Sequence, residues 1–171
     1  MVAATLTRDS AVWAALAEIS DPEIPAISLV DLGVIRGFAF EPRPAGGERL
    51  TVELMPTFVG CPAIEVMRQQ IGEHLADMAD EVVVDLTFAE PWTSDRITAA
   101  GREALRSSGF APPMTIGSTF TGESLTILPI ATCPYCASRS TTLENPFGPT
   151  LCRAIYHCAD CRQPFEAFKP V

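Results

Sequence analysis

The C-terminal part of the chain carries two Cys-x-x-Cys motifs, Cys133-Pro-Tyr-Cys136 and Cys158-Ala-Asp-Cys161. Each motif places two thiolates on one tight turn, and two such turns complete the tetrahedral set of four sulfurs that zinc prefers. The 21 residues between the motifs slightly exceed the usual spacing of such sites. The sequence therefore predicts one metal ion, zinc or a rubredoxin-like iron, bound by all four cysteines. Its role is structural, because four protein ligands leave no open position for catalysis.

The length of 171 residues suits one mid-sized domain, or one domain followed by a small metal-stapled module. No segment approaches the roughly 20 consecutive apolar residues of a membrane span. The N-terminus lacks the basic and apolar regions of a secretory signal. We therefore expect a cytoplasmic protein, in which paired cysteines bind metal rather than form disulfides.

The net charge of −9 is unevenly distributed. Residues 1–106 contain 17 acidic and 8 basic side chains, whereas residues 107–171 contain four of each. Nucleic-acid binding needs clustered Lys and Arg, and Lys169 is the single lysine of the chain. Nucleic acid is therefore not an expected partner.

The apolar periodicity predicts a small α+β sandwich of order αββαβα at residues 1–106. Helical spacing occurs over 8–19, 62–78 and 97–105, and strand alternation over 34–40, 50–54 and 82–88. Residues 107–127 are rich in Ser, Gly, Pro and Thr, which indicates a linker. Residues 128–171 then form a zinc ribbon.

Cys61 lies immediately before the second predicted helix, and Pro62 is typical of a first helical position. This predicts Cys61 as the N-cap, where free N–H groups and the helix dipole lower a thiol pKa. Such a thiolate is a candidate nucleophile or metal ligand. The alternative is a small buried apolar residue.

Asp21 begins the stretch Asp21-Pro22-Glu23-Ile24-Pro25, in which two prolines stiffen a loop that carries carboxylates. The simpler interpretation is a helix stop and a solvated turn. If Asp21 lies beside Cys61, the pair offers oxygen and sulfur ligands to a transiently held metal. Cys152, six residues before Cys158, is either a spare thiol near the metal or a packing residue.

Common catalytic signatures are missing, including the GxSxG elbow, the P-loop, GxGxxG and HExxH. The sequence contains only two histidines. We therefore expect no self-contained catalytic site and predict that the protein is not itself an enzyme.

Further short motifs accompany these single residues. They are Asp21 to Pro25, Ser28, Asp31-Leu32-Gly33, Gly60-Cys61-Pro62 and Pro91-Trp92, then Phe147 to Tyr156 and Pro164-Phe165 around the paired cysteines. The first group resembles the metal–sulfur cluster biosynthesis family, which includes SufT-like bacterial proteins. The second group resembles the zinc ribbon of the PaaD family, also called PaaJ. These are accessory subunits encoded with the bacterial phenylacetyl-CoA epoxidase.

The resemblance implies an accessory role in phenylacetate degradation. In that system a di-iron oxygenase epoxidises the aromatic ring, and a reductase with flavin and a 2Fe–2S centre supplies the electrons. The PaaD-like protein is implied to assist iron–sulfur or di-iron centre assembly, with Cys61 as the cluster-handling thiol and Asp21 as its neighbour. One thiol per chain cannot hold a cluster alone, which points to a homodimer or to a site shared with a client.

Two other functions stay open at this point. One is a structural adaptor whose zinc ribbon is the docking surface and whose Cys61 is inert. The other is a thiol redox enzyme, against which stands the absence of a resolving cysteine near Cys61 in the sequence.

Overall fold

The structure, a computed structural model, describes residues 7–114 and 130–169. The chain divides into two compact units, residues 1–91 and 92–171, called here the first and the second unit. None of the helices in the described ranges is long and apolar enough to cross a membrane.

The described part of the first unit, residues 7–91, contains three helices and three strands. In chain order they are α1 (Arg8–Ala17), α2 (Leu29–Leu32), β1 (Ile35–Pro42), β2 (Glu48–Leu54), α3 (Ile64–His74) and β3 (Glu81–Leu86). The sheet has the order β1-β2-β3. Strand β2 pairs antiparallel with β1 and parallel with β3, and α3 makes the crossover that a parallel pair requires. The predicted α+β sandwich is confirmed.

The β1–β2 hairpin turns through two glycines. Gly46 and Gly47 have φ angles of 88° and 81°, which a residue with a Cβ adopts only at a cost. A Cβ on Gly47 would also clash with the carboxylate of Asp80. The same carboxylate accepts a 2.7 Å hydrogen bond from the backbone N–H of Glu48, so it fixes the start of β2.

The core of the first unit lies on one face of the sheet. Alternate residues of β2 (Leu50, Val52 and Leu54) are fully buried, while the residues between them are only half-buried. Strand geometry sends successive side chains to opposite faces. Buried helical side chains also belong to this core: Val12 and Leu16 of α1, and Met67 and Ile71 of α3.

The second unit begins with a 3₁₀ turn (Ser94–Arg96) and is built on a four-stranded sheet. Its other elements are α4 (Ala99–Ser107), β4 (Phe110–Ala111), β5 (Thr141–Asn145), β6 (Arg153–Cys158) and β7 (Pro164–Phe168). The strand order is β4-β7-β6-β5. Strand β4 is parallel to β7, and the other pairs are antiparallel.

The division after Pro91 differs from the predicted domain limit at residue 106. Strand β4 joins the ribbon sheet, and the Trp92 ring packs 5.6 Å from the ring of Phe168. The segment from Trp92 to α4 therefore belongs to the same unit as the ribbon, since periodicity along the chain does not reveal which sheet a helix accompanies. The predicted linker at 107–127 contains β4, and its part from 115 onward lies outside the described residues.

Candidate metal centre

The two cysteine motifs fold into matched knuckles. In the first, the N–H of Cys133 donates to the carbonyl of Ser138 at 2.9 Å, and the N–H of Ala137 donates to the carbonyl of Cys133 at 3.0 Å. In the second, Cys158 donates to Gln163 at 3.0 Å and Arg162 donates to Cys158 at 2.9 Å. The first knuckle precedes β5 and the second connects β6 to β7, so the sheet holds the two turns in place.

Each knuckle ends with a residue in the left-handed region. Ala137 and Arg162 both have φ of 60°, and such a conformation costs an L-residue about 1 kcal/mol. Both follow the second cysteine of their motif directly. These two positions were not predicted from the sequence; their place directly after each motif is the signal that could have identified them.

The four thiols converge on a single point. Their sulfurs all lie within 4.8 Å of one another, and the Cys133–Cys161 and Cys136–Cys158 sulfur pairs are each 3.6 Å apart. A disulfide would bring two sulfurs to about 2.05 Å. A tetrahedral ion with Zn–S bonds of about 2.3 Å separates its sulfurs by about 3.75 Å. The cluster therefore fits a four-coordinate metal ion.

The thiols do not ionise equally. The backbone N–H of Cys161 holds the pKa of the Cys158 thiol at about 6. The backbone N–H of Gln163 lowers the pKa of Cys161, but desolvation and the neighbouring thiols outweigh it and raise that pKa to about 12. Four negative sulfurs at these separations repel one another, so full deprotonation requires a bound cation.

Burial also distinguishes the four ligands. Cys133 and Cys158 are buried, Cys161 is half-buried and Cys136 is exposed. The two buried cysteines belong to the core cluster of the ribbon, with Ala111, Ala154, Tyr156, Phe165 and Ala167. The site is thus part of the ribbon core, and its four cysteines would complete the coordination sphere of a tetrahedral ion.

Cys61 lies in the loop between β2 and α3 of the first unit, and it is half-buried. The predicted N-cap position is wrong: α3 begins at Ile64 with Ala63 as the N-cap. Two successive turns precede the helix: the N–H of Cys61 donates to the carbonyl of Phe58 at 3.1 Å, and the N–H of Ile64 donates to the carbonyl of Cys61 at 3.4 Å. Pro62 therefore lies two residues before the helix. Cys61 does not occupy the N-cap position on which the helix-dipole prediction depended.

Asp21 is buried, and its side chain holds a turn. One carboxylate oxygen, Oδ1, accepts hydrogen bonds of 2.8 Å from the backbone N–H groups of both Glu23 and Ile24. The sequence predicted a solvated turn at this position. The structure shows a turn that is closed by the buried carboxylate of Asp21. Asp21 also lines a cleft of about 350 Å³ with residues of α3, including Gln70 and His74.

Of the predicted site residues, the structure joins the four paired cysteines. Within residues 7–114 and 130–169, these four cysteines are the His, Cys, Asp or Glu side chains that lie close enough together, three or more at a time, to hold a metal ion. Neither Asp21 nor Cys61 belongs to this group. The shared Asp21–Cys61 metal site therefore stays a prediction. Cys152 is half-buried, with its sulfur 3.2 Å from the hydroxyl of Thr150.

Two family models match successive parts of the chain. Residues 9–88 match the model described as iron-sulfur cluster assembly protein, and residues 123–169 match the PaaD zinc beta ribbon domain. A curated relative from Escherichia coli (strain K12), provisionally named as a component of 1,2-phenylacetyl-CoA epoxidase, is 38% identical over 161 residues. The alignment covers 92% of this chain and 90% of the relative. The chain belongs to the PaaD family.

Solved structures extend the PaaD comparison to the fold. A domain of unknown function, DUF59, from Bacillus anthracis superposes with a TM-score of 0.50 at 20% identity. The superposition covers 57% of this chain and 91% of that one, and it shows a shared fold. A Mycobacterium tuberculosis protein described as associated with Fe-S complex assembly and repair is 31% identical, with a TM-score of 0.36 and coverage of 58% and 83%.

Proposed function

We propose that this protein is an accessory factor of a bacterial phenylacetyl-CoA epoxidase system and assists the assembly of its iron–sulfur or di-iron centres. The observation that carries the proposal is the 38% identity to a phenylacetyl-CoA epoxidase component over nine-tenths of both chains. The match of residues 9–88 to an iron–sulfur assembly model supports the maturation role. Under this proposal the protein is cytoplasmic and has no catalytic activity of its own.

The four-cysteine site is proposed to hold a structural zinc ion. The donor set and the 3.6 Å sulfur separations support this assignment. Zinc favours tetrahedral thiolate sites, and it undergoes no redox change that would couple the ribbon to electron transfer. Rubredoxin-like iron is the other ion that suits four sulfurs. Metal analysis with absorption spectra of protein purified aerobically and anaerobically distinguishes the two.

Cys61 is proposed to be the thiol that contacts the cluster in transit. It is half-buried in a loop, beside exposed Gly60 and Pro62, and it lies outside the four-cysteine site. A cluster is held by several thiolates. The remaining ligands must therefore come from a client, namely the reductase or the oxygenase, from an iron–sulfur assembly protein, or from a second copy of this chain.

The test is the metal content of the client proteins. The reductase and the oxygenase are produced with the wild-type protein, with Cys61→Ser, or without the protein, and then assayed for iron, sulfide and ring epoxidation. We expect Cys61→Ser to lower iron loading toward the level found without the protein.

Cys152→Ser is the matched control, because Cys152 is also half-buried and lies outside the four-cysteine site. It should leave iron loading unchanged. Equal loading with wild type and Cys61→Ser would exclude cluster handling by this thiol.

The second candidate function is a structural adaptor that docks through the ribbon. It is favoured by exposed apolar side chains of the second unit, of which Phe147 is 66% and Tyr135 58% exposed. An apolar groove of about 280 Å³ in the same unit includes Phe147 in its wall. For an adaptor, Cys61→Ser is silent, whereas Cys133→Ser abolishes complex formation with normal metal loading of the clients.

A further inference from the structure

The first unit exposes an apolar rim at one end of its sheet. The rim consists of Phe58, Val59, Leu86 and Phe88, which are 45%, 80%, 36% and 56% exposed. These four make up most of the large apolar side chains exposed on the described part of this unit, where Trp13 and Val66 are the others. Exposed apolar groups collected in one place mark interaction sites more often than scattered ones do.

The topology brings the rim together from two segments. Strands β2 and β3 run parallel, with Leu54 opposite Leu86, and the N–H of Thr87 donates to the carbonyl of Leu54 at 2.9 Å. The loops that follow the two strands therefore leave the sheet at the same end. The first loop carries Phe58 and Val59, and the second carries Phe88.

The rim side chains are distinct from the buried core of the unit. Leu54 and Met55, at the end of β2 just before the first rim loop, are fully buried, whereas the rim side chains are exposed to solvent. Covering them with another surface would be favourable, because it removes apolar area from water. The same loop holds Cys61, whose N–H donates to the Phe58 carbonyl at 3.1 Å.

Charge decides which kind of surface covers the rim. Residues 1–91 contain fifteen acidic and five basic side chains, a net charge of −10. Asp85 directly precedes Leu86 and is exposed. Glu90 follows Phe88 closely; its side chain is 61% exposed and lies 3.8 Å from the guanidinium of Arg36, which offsets part of its charge. A second copy of this unit would set like charge against like charge, whereas a basic surface would be attracted.

We propose that the rim docks a separate protein whose contact surface is basic around an apolar centre, with Cys61 at the margin of the interface. The inference rests on the proposed function, and it assigns the remaining cluster ligands to the client rather than to a second copy. The rim supplies affinity, and the acidic surroundings accelerate and orient the encounter.

The experiment measures binding of the full-length protein to the purified reductase and oxygenase by biolayer interferometry. The double variant Phe58→Ser/Phe88→Ser should weaken binding to one of them by about tenfold or more, since buried aromatic anchors dominate interfaces. Val66→Ser, at an exposed apolar position of the same unit outside the rim, is the matched control and should have little effect. Raising sodium chloride from about 0.05 M to about 0.3 M should slow association.

A charge variant keeps the test independent of the apolar substitutions. Asp85→Asn/Glu90→Gln should slow association and flatten its salt dependence, whereas Glu65→Gln/Glu144→Gln, at two exposed positions elsewhere, should not. Circular dichroism confirms that each variant is folded.

Three outcomes would overturn the proposal. They are no binding of wild type to either client, unchanged binding of the Phe58/Phe88 double variant, and a wild-type dimer in sedimentation that this variant dissociates. Cys61→Ser should bind as wild type does, because docking precedes any contact with the cluster. If the rim variants weaken docking but Cys61→Ser leaves client iron unchanged, only the maturation role is contradicted. If Cys61→Ser lowers client iron but the rim variants bind normally, only the docking role of the rim is contradicted.

Discussion

In the first unit, Leu50, Val52 and Leu54 fill the core beneath one face of the sheet. In the ribbon core of the second unit, by contrast, two of the seven clustered residues are the metal ligands Cys133 and Cys158, and three are alanines. The first core is held by buried branched side chains, whereas the second includes two thiols of a cluster that fits a metal ion. Small modules with few large apolar residues commonly need such a staple. The units should therefore respond differently to the same perturbation.

The largest effect should come from Cys133→Ser. It removes a buried ligand from a site whose metal contributes on the order of 10 kcal/mol in small zinc modules. We expect loss of the metal and of dispersed amide signals from residues 130–169, while those of the first unit persist. Inductively coupled plasma mass spectrometry and two-dimensional NMR measure both. Cys152→Ser should retain the metal, and unfolding of the first unit as well would break the comparison.

Leu50→Ala tests the opposite unit. Leu50 is fully buried, and such a truncation costs about 2–5 kcal/mol because it leaves a cavity. Urea denaturation should show this loss in the first unit, with metal content unchanged. Leu86→Ala, at a partly exposed position of the neighbouring strand, should cost much less. Metal release by Leu50→Ala would show that the two units are not independent.

Variants of Asp21 distinguish a carboxylate that only holds a turn from one that also binds metal. Asp21→Ala leaves the N–H groups of Glu23 and Ile24 without their acceptor, which should cost about 1–3 kcal/mol. Asp21→Asn keeps an oxygen acceptor but removes the charge. If Asp21 only holds the turn, Asn should restore both stability and client iron loading. Restored stability with low iron loading would instead indicate a metal ligand.

Ala137→Gly should have a smaller and opposite effect. Glycine relieves the left-handed strain, a gain of about 1 kcal/mol that is partly offset by the greater freedom of the unfolded chain. Zinc competition with a chelator should show slightly tighter binding. Ala159→Gly, in the same ribbon, is a control without a positive φ and should weaken binding or leave it unchanged.

The smallest effect concerns Glu81 on the exposed face of the sheet. The hydrogen bond from Arg49, supported by the charge of Arg43, lowers the pKa of this carboxyl. A lowered pKa stabilises the fold above the unfolded value, and that stability is lost as the pH falls through the folded value. NMR titration should give Glu81 a lower pKa than other exposed glutamates. Arg49→Met should raise its pKa, and an unchanged titration would exclude the pair.

Local signals predicted much of the architecture. Alternating apolar residues predicted the strands of the first unit, and the paired cysteines predicted the four thiols that the structure brings together, because each signal acts within a few residues. The same logic failed at Cys61. Pro62 is compatible with a first helical position, but it lies in a turn closed by the hydrogen bond from Ile64 to Cys61, and the helix begins at Ile64. A proline indicates the region in which a helix can begin, but it does not determine the first helical residue.

The sequence by itself predicted the four cysteines that the structure brings together, the helices and strands of the first unit other than α2, and its acidic charge, since these follow from spacing and composition. The tertiary structure decided which sheet accompanies α4, that Asp21 bonds two backbone N–H groups, and that Phe58 and Phe88 leave the sheet at one end. These depend on residues far apart in the chain, or on the geometry of a single turn. Such contacts form only when the strands pair and the core closes around them.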